Sequence, residues 1–287
     1  MTGMEAFCSY ADWDLVEEPY SYFPYMVTPH EIAYALTCKN IALGEPLDDP
    51  SEQLTKIHTI YNLWNYELME HDGGDFSPSP VQAKLIKRGR AQGCCAIRVD
   101  SAAAGEIKVA IGNTRLYESD FKKSLTGKTN RSFARYQQVR KLLKEALSAK
   151  ADLLVLPENF LPWEWLPDIS RLCANNQMAL ITGIEHIASG ARRVYNLTAV
   201  ILTYRENDYK FAQIICHHKV HYSPNEARMI RGYRMEPFHG TQYQLFCWRD
   251  LWFSVYCCYE LASIADRSLF QALADLTVAV EWNRDVP

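Results

Sequence analysis

No apolar run in this 287-residue chain approaches the roughly 18 residues needed to cross a bilayer, so a membrane span is not expected. Excess charge of one sign is also lacking. With 30 basic and 34 acidic residues the formal net charge is -4, which offers no electrostatic footprint for a nucleic-acid backbone, and no nucleic-acid partner is expected for this segment. The one dense basic stretch, Lys84, Lys87, Arg88 and Arg90, reads as a solvated face or linker. Cysteine is present but not in binding patterns. The nine cysteines include no Cys-x-x-Cys spacing and fall into two adjacent pairs, Cys94-Cys95 and Cys257-Cys258, plus scattered singles. That argues against a disulfide scaffold and a zinc site and for a reducing compartment, so the expected location is cytoplasmic. A secretion signal is not expected either, since Asp12, Asp14, Glu17 and Glu18 interrupt the first residues.

Several partial motifs fail for want of one residue. Gly127-Lys128-Thr129 suggests a phosphate loop, but Lys122 stands where the upstream glycine belongs. Tyr10-Ala-Asp-Trp13 carries Trp13 where a polymerase would need a second metal-binding Asp. Cys216, His217, His218 and His221 have no second ligand cluster at zinc spacing, and strand alternation separates the adjacent histidines, so neither a metal nor an organic cofactor is expected.

What is present divides near Gly105. Residues 1–104 read as a mainly helical extension of unassigned function. An aromatic cluster (Tyr20, Tyr22, Phe23, Tyr25) precedes Thr28-Pro29, which predicts an N-cap and a first-turn proline for a helix running to about Gly44. Leu54, Ile57, Tyr61, Trp64 and Leu68 recur at helical spacing, with Ser51 as the expected cap. His71 to Pro80 is rich in turn formers, and a short basic helix is expected after it. From Glu106 onward strands and helices alternate, which indicates an α/β layered fold. Expected strands cover 107–111, 153–156, 178–182, 197–203, 211–216, 242–247 and 251–257. Expected helices cover 132–148, with Phe133, Tyr136, Val139, Leu142, Leu143 and Ala146 on one face, and 264–273.

Three segments carry the chemistry. Glu158 follows Leu-Val-Leu-Pro, Lys219 lies in His-His-Lys-Val-His, and Cys258 lies in Tyr-Cys-Cys-Tyr-Glu-Leu. Each closes a run that reads as a buried strand, so a base, a cation and a thiol can meet at one rim of a sheet. A free thiol has a pKa of about 8.5 and needs a neighbouring base or cation to act as a nucleophile. At a strand-to-helix turn the sulfur of Cys258 projects into a cleft and the backbone N–H of Tyr259 faces a developing oxyanion. Alternation predicts that Cys257 points to the opposite face.

Five segments, in order, resemble the nitrilase superfamily, the carbon-nitrogen hydrolases. They are Lys108-Val-Ala-Ile-Gly-Asn-Thr-Arg115, Ala151-Asp-Leu-Leu-Val-Leu-Pro-Glu158, Tyr195-Asn-Leu-Thr-Ala-Val-Ile-Leu202, His218-Lys-Val-His-Tyr-Ser-Pro-Asn-Glu226, and Cys258-Tyr-Glu-Leu261 followed by Arg267. The resemblance implies an α-β-β-α sandwich over residues 105–287, with its C-terminal part incomplete because the family continues beyond the equivalent of Pro287. It implies a Glu158-Lys219-Cys258 triad, with Glu226 orienting Lys219, that hydrolyses non-peptide carbon-nitrogen bonds of small amides, carbamoyl compounds or nitriles through a thioester. Trp163, Trp165 and Trp282 are candidates to line the acyl pocket, and family members associate through their sandwich faces, so a homo-oligomer is expected. A second reading is a non-catalytic scaffold or regulator, a fragment of a larger protein such as one fused to a bacterial reverse transcriptase.

Overall fold

The computed structural model describes residues 28–69, 81–86, 93–206 and 209–282. The aromatic cluster, Tyr10 to Trp13, the 71–80 turn region and residues 87–90 of the basic stretch lie outside the described residues. The first helix, α1 (Pro29–Leu43), begins as its sequence predicts: the Thr28 N–H donates to the Glu31 carboxylate at 2.9 Å. It ends at Gly44, whose φ of 70° is a conformation glycine adopts at little cost. In α2 (Pro50–Met69) the cap is Asp49 rather than Ser51, since the Glu52 N–H donates to Asp49 Oδ1 at 2.9 Å. Ser51 already lies inside the helix. Leu54, Ile57 and Tyr61 are buried, as their spacing predicts.

The expected short basic helix is instead a strand. β1 (Val81–Ile86) and β2 (Gly93–Val99) form an antiparallel pair, and β2 runs parallel to a strand far along the chain, β11 (Gln242–Trp248). Val81, Ala83 and Leu85 alternate with Gln82 and Lys84, a period of two that a basic-residue count conceals. Sheet pairing therefore runs across the expected division near Gly105.

Between β2 and β11 come β3 (Val109–Ile111), α3 (Glu118–Ser124), α4 (Phe133–Ser148) and β4 (Leu153–Val155), then a 3₁₀ turn, Trp163–Trp165, and α5 (Leu166–Asn176). β5 (Ala179–Gly183), β6 (Ile187–Ala188), β7 (Arg193–Tyr195), β8 (Leu197–Glu206) and β9 (Tyr209–His218) follow. After α6 (Pro224–Gly232) and β10 (Glu236–Pro237), β11 leads to β12 (Leu251–Cys257). A second 3₁₀ turn, Cys258–Ala262, then precedes α7 (Ile264–Arg267) and β13 (Leu276–Val280).

Two five-stranded sheets result, ordered β1-β2-β11-β12-β13 and β3-β4-β5-β8-β9, with a small β10-β7-β6 sheet beside them. The large sheets face each other through contacts of β2 with β8, β9 with β11, and β5 with β13, while α1 and α5 pack against β9. This is the α/β sandwich expected from the sequence. Because a strand between a sheet and a helical layer has no wet face, β4 and β5 are buried at every residue. Burying each Leu or Ile in that core contributes about 1.5–3 kcal/mol.

Two helical expectations change. In α4, Val139, Leu143 and Ala146 are buried, but Phe133 and Tyr136 are 71% and 48% exposed. Arg135 takes the inward place, with a 2.9 Å contact to Asp120 and its guanidinium over the Phe160 ring. The helix expected over 264–273 stops at Arg267, and the chain continues in turns to β13.

Candidate active site

The site is assembled by strand direction. β4 is parallel to β5, which is antiparallel to β8, which is antiparallel to β9, so β4, β5 and β9 all end at one rim. Glu158 follows β4 at that rim and Lys219 follows β9. Close approach there depends on two glycines: a Cβ on Gly183 would lie 2.3 Å from the Glu158 Cα, and one on Gly240 would lie 2.1 Å from the His218 carbonyl oxygen. From the other sheet β12 delivers Cys257. Its last turn is pinned by Glu260, whose carboxylate accepts from the Cys257 N–H at 2.7 Å, from the Val220 N–H at 2.5 Å and from His217 at 2.8 Å. Glu260 thereby ties the end of β12 to the end of β9.

Lys219 is fully buried. Its Nζ lies 2.8 Å from Glu158 Oε1 and 2.6 Å from Glu226 Oε2. Asn196, between β7 and β8, donates through Nδ2 to Glu158 Oε1 and to Glu226 Oε1, both at 2.8 Å. His186 contacts Glu226 Oε1 at 2.9 Å through Nε2, and its Nδ1 lies 3.0 Å from Asn159 Oδ1. The Tyr222 ring lies beside the ammonium, 5.4 Å from Nζ. Burial works against the Lys219 charge, but the acidic groups around it, Cys257, Glu158, Glu226 and Cys258, outweigh it and raise its pKa well above the usual value. Burial likewise pushes Glu226 upward and is overcome by Lys219 and His186, which hold this carboxyl down at about 2.

Both adjacent thiols lie near the same carboxylate. Cys257 Sγ is 3.3 Å from Glu158 Oε1 and 3.7 Å from Asn196 Oδ1. Cys258, the next residue, lies close enough to feel the Glu158 charge and adjoins the Trp282 backbone. The expectation that alternation turns Cys257 away from the cleft is therefore corrected. Cys258 leaves the strand with a φ of 49°, and this left-handed turn breaks the period of two. Such backbone strain in a non-glycine residue clusters at functional sites. Cys257 is 1% exposed, whereas Cys258 is only partly buried. Burial and the Glu158 charge push the Cys258 thiol up to about 12, against the opposing pull of Lys219 and the Trp282 N–H, and the same two causes raise Cys257.

Glu158, Lys219 and Glu226 thus lie together, with Cys257 against Glu158 and Cys258 in the turn that follows. Tyr259, next to them in the 3₁₀ turn, has a side chain 41% exposed. Arg267 lies apart from them, beside Ser254, Phe270 and Thr277. Trp163 stacks on Tyr34 of α1, with centroids 4.8 Å apart, and Trp165 packs edge-on against Tyr136, so both serve packing. Of the three tryptophans only Trp282 adjoins Cys258, and it also packs against Phe121. Sequence reasoning missed Asn196, His186 and Asn159. Asn196 was within reach, since it sits in a quoted motif, whereas His186 stands in no pattern.

A sequence profile described as carbon-nitrogen hydrolase matches residues 125–266. No curated protein matches the chain. Among solved structures, the chain is similar to the NitN amidase from Nesterenkonia sp. AN1, at 14% identity and a TM-score of 0.42, covering 61% of this chain and 67% of that one. A mutant of the Nesterenkonia enzyme, also 14% identical with a TM-score of 0.42, covers 61% and 64%. It carries the acetamide moiety of fluoroacetamide on its active-site cysteine. Glutamine-dependent NAD+ synthetase from Acinetobacter baumannii is 16% identical over 52% of this chain and 29% of that one, with a TM-score of 0.37.

Proposed function

The chain belongs to the carbon-nitrogen hydrolase family through residues 125–266, and from that premise we propose that it is a thiol hydrolase of non-peptide amides, with carbamoyl compounds and nitriles as the neighbouring substrate classes. The observation that carries this reading is that Glu158 contacts the Lys219 ammonium at 2.8 Å and lies 3.3 Å from the first sulfur of the Cys257-Cys258 pair.

In the proposed reaction the Cys258 sulfur attacks the amide carbon as its proton passes to Glu158. The carbonyl oxygen takes up negative charge, which Lys219 and the Tyr259 backbone N–H stabilise. Glu158 returns the proton to nitrogen, the C–N bond breaks, and an amine or ammonia leaves a thioester on Cys258. Glu158 then takes a proton from water as its oxygen attacks the thioester. The acid departs and the proton returns to sulfur. Glu226 and Asn196 keep Glu158 and Lys219 in register throughout. Cys258 is preferred to Cys257 as the nucleophile because it occupies the left-handed turn and is the more accessible thiol.

One observation favours a second reading, a non-catalytic module. The Cys258 thiol is held near 12, so without a proton acceptor it stays inert at neutral pH. Ammonia release from short aliphatic and aromatic primary amides discriminates the two. The hydrolase reading expects turnover that falls about 10³-fold or more in Cys258→Ala, Glu158→Gln and Lys219→Met and persists in Cys257→Ala. Absence of turnover with all amides, carbamoyl compounds and nitriles tried would favour the module.

A further inference from the structure

A second polar cavity lies behind Lys219, between the loop joining α1 to α2 and the ends of β9 and β11. Its space for the centre of a water-sized group is about 30 Å³, room for one small occupant. Asp48, Asp49, His218, His239, Gln242 and Gln53 line it.

These side chains offer acceptors. His218 is 7% exposed and its ring is fixed by stacking on Tyr195, with centroids 5.3 Å apart. Its Nε2 is buried with no partner among the described residues. Burial pushes this imidazole down to about 3, so at neutral pH the ring is uncharged and has one lone pair to offer a donor. Gln242 Oε1 is likewise buried without a partner among the described residues. Asp49 uses Oδ1 to accept from the Glu52 N–H, and Asp48 is paired with Lys56 at 3.0 Å, so the two carboxylates exceed that one lysine by a unit of charge. His239 Nδ1 faces the Val220 carbonyl at 2.8 Å, which assigns its proton to that nitrogen and makes Nε2 another acceptor. An occupant that satisfies this lining brings N–H donors and positive charge in a small volume. A metal ion fits less well, because no group of three His, Cys, Asp or Glu residues suited to one occurs among the described residues.

We propose that this cavity is a binding site for a small ammonium group, either ammonium itself or the head of a primary amine. The site adjoins Lys219 through the backbone, since the Gly240 N–H donates to the Lys219 carbonyl at 2.9 Å. It stands apart from the hydrolase reading, because binding is measured without turnover.

Ammonium and potassium ions are close in size, and only ammonium donates hydrogen bonds. Thermal melts of the full chain at matched ionic strength therefore compare ammonium, methylammonium, potassium and tetramethylammonium chlorides. The expected result is a saturable rise in Tm of about 2–4 °C with ammonium and methylammonium alone. The rise should be lost in His218→Phe, which keeps the stacked ring, and in Gln242→Leu, which serves should the first variant fail to fold. Equal shifts with potassium, or no shift with any salt because the cavity holds only water, would overturn the proposal.

Discussion

At the scale of single residues, Lys219 is the only lysine or arginine paired with Glu158 and Glu226 among the described ion pairs. Replacing it by Met leaves two buried carboxylates facing each other, and breaking a buried pair in this way costs about 3–5 kcal/mol. Urea melts of Lys219→Met should show that loss, and part of it should return in Lys219→Met with Glu226→Gln. Glu185 makes a different prediction. It is fully buried, Oε2 accepts from the Asn130 N–H at 2.7 Å, and Oε1 has no partner among the described residues. Burial raises its pKa from 4.5 to about 7. With the folded value raised, the folded state holds the extra proton between these two values, so this group's contribution is full below 4.5 and is lost as pH rises through 7. Glu185→Gln should remove that dependence, so that the variant gains stability relative to the parent between pH 5 and 8 in paired thermal melts. A relative loss over that range would contradict the assignment.

At the scale of elements, Gly183 shows how a strand end sets the site. A methyl group there meets the Glu158 Cα at 2.3 Å, so Gly183→Ala must displace the Glu158 loop. Overpacking of this kind costs about 1–3 kcal/mol, and turnover should fall more steeply than stability as Glu158 leaves Lys219. Legibility also divides by element. α1 was readable because Thr28, Pro29, Glu31 and Gly44 give start and stop signals within the helix's own sequence. Glu158, Lys219 and Cys258 were readable because each ends an apolar run. The β1-β2 pair was not, since β11, the partner of β2, lies some 150 residues away and nothing local announces it. Arg135 displaced Phe133 and Tyr136 from the inward face of α4 because Asp120, on another helix, supplies its counter-charge. The inward turn of Cys257 depends on the φ of its neighbour, which residue type does not disclose.

At the scale of the whole molecule, β2 stitches the first hundred residues into the sheet that holds Cys257. Removing residues 1–104 strips β11 of β2, one of its two neighbours, and uncovers the face of β9 against which α1 packs. An unpaired strand edge beside exposed apolar surface promotes association. The shortened chain should therefore elute as aggregate in size-exclusion chromatography, whereas a monodisperse, folded product would mean that residues 105–287 are self-sufficient.

The central claim is that Glu158 and Lys219 activate the Cys258 sulfur. Intact-mass and peptide mapping of iodoacetamide labelling across pH 6–9 tests it most directly, comparing the parent chain with Cys258→Ala, Cys257→Ala, Glu158→Gln and Lys219→Met. The account predicts one fast adduct on Cys258 that is absent in Cys258→Ala, retained in Cys257→Ala, and markedly slowed in Glu158→Gln and Lys219→Met. Label that falls first on Cys257, or spreads evenly over the nine cysteines, would contradict it.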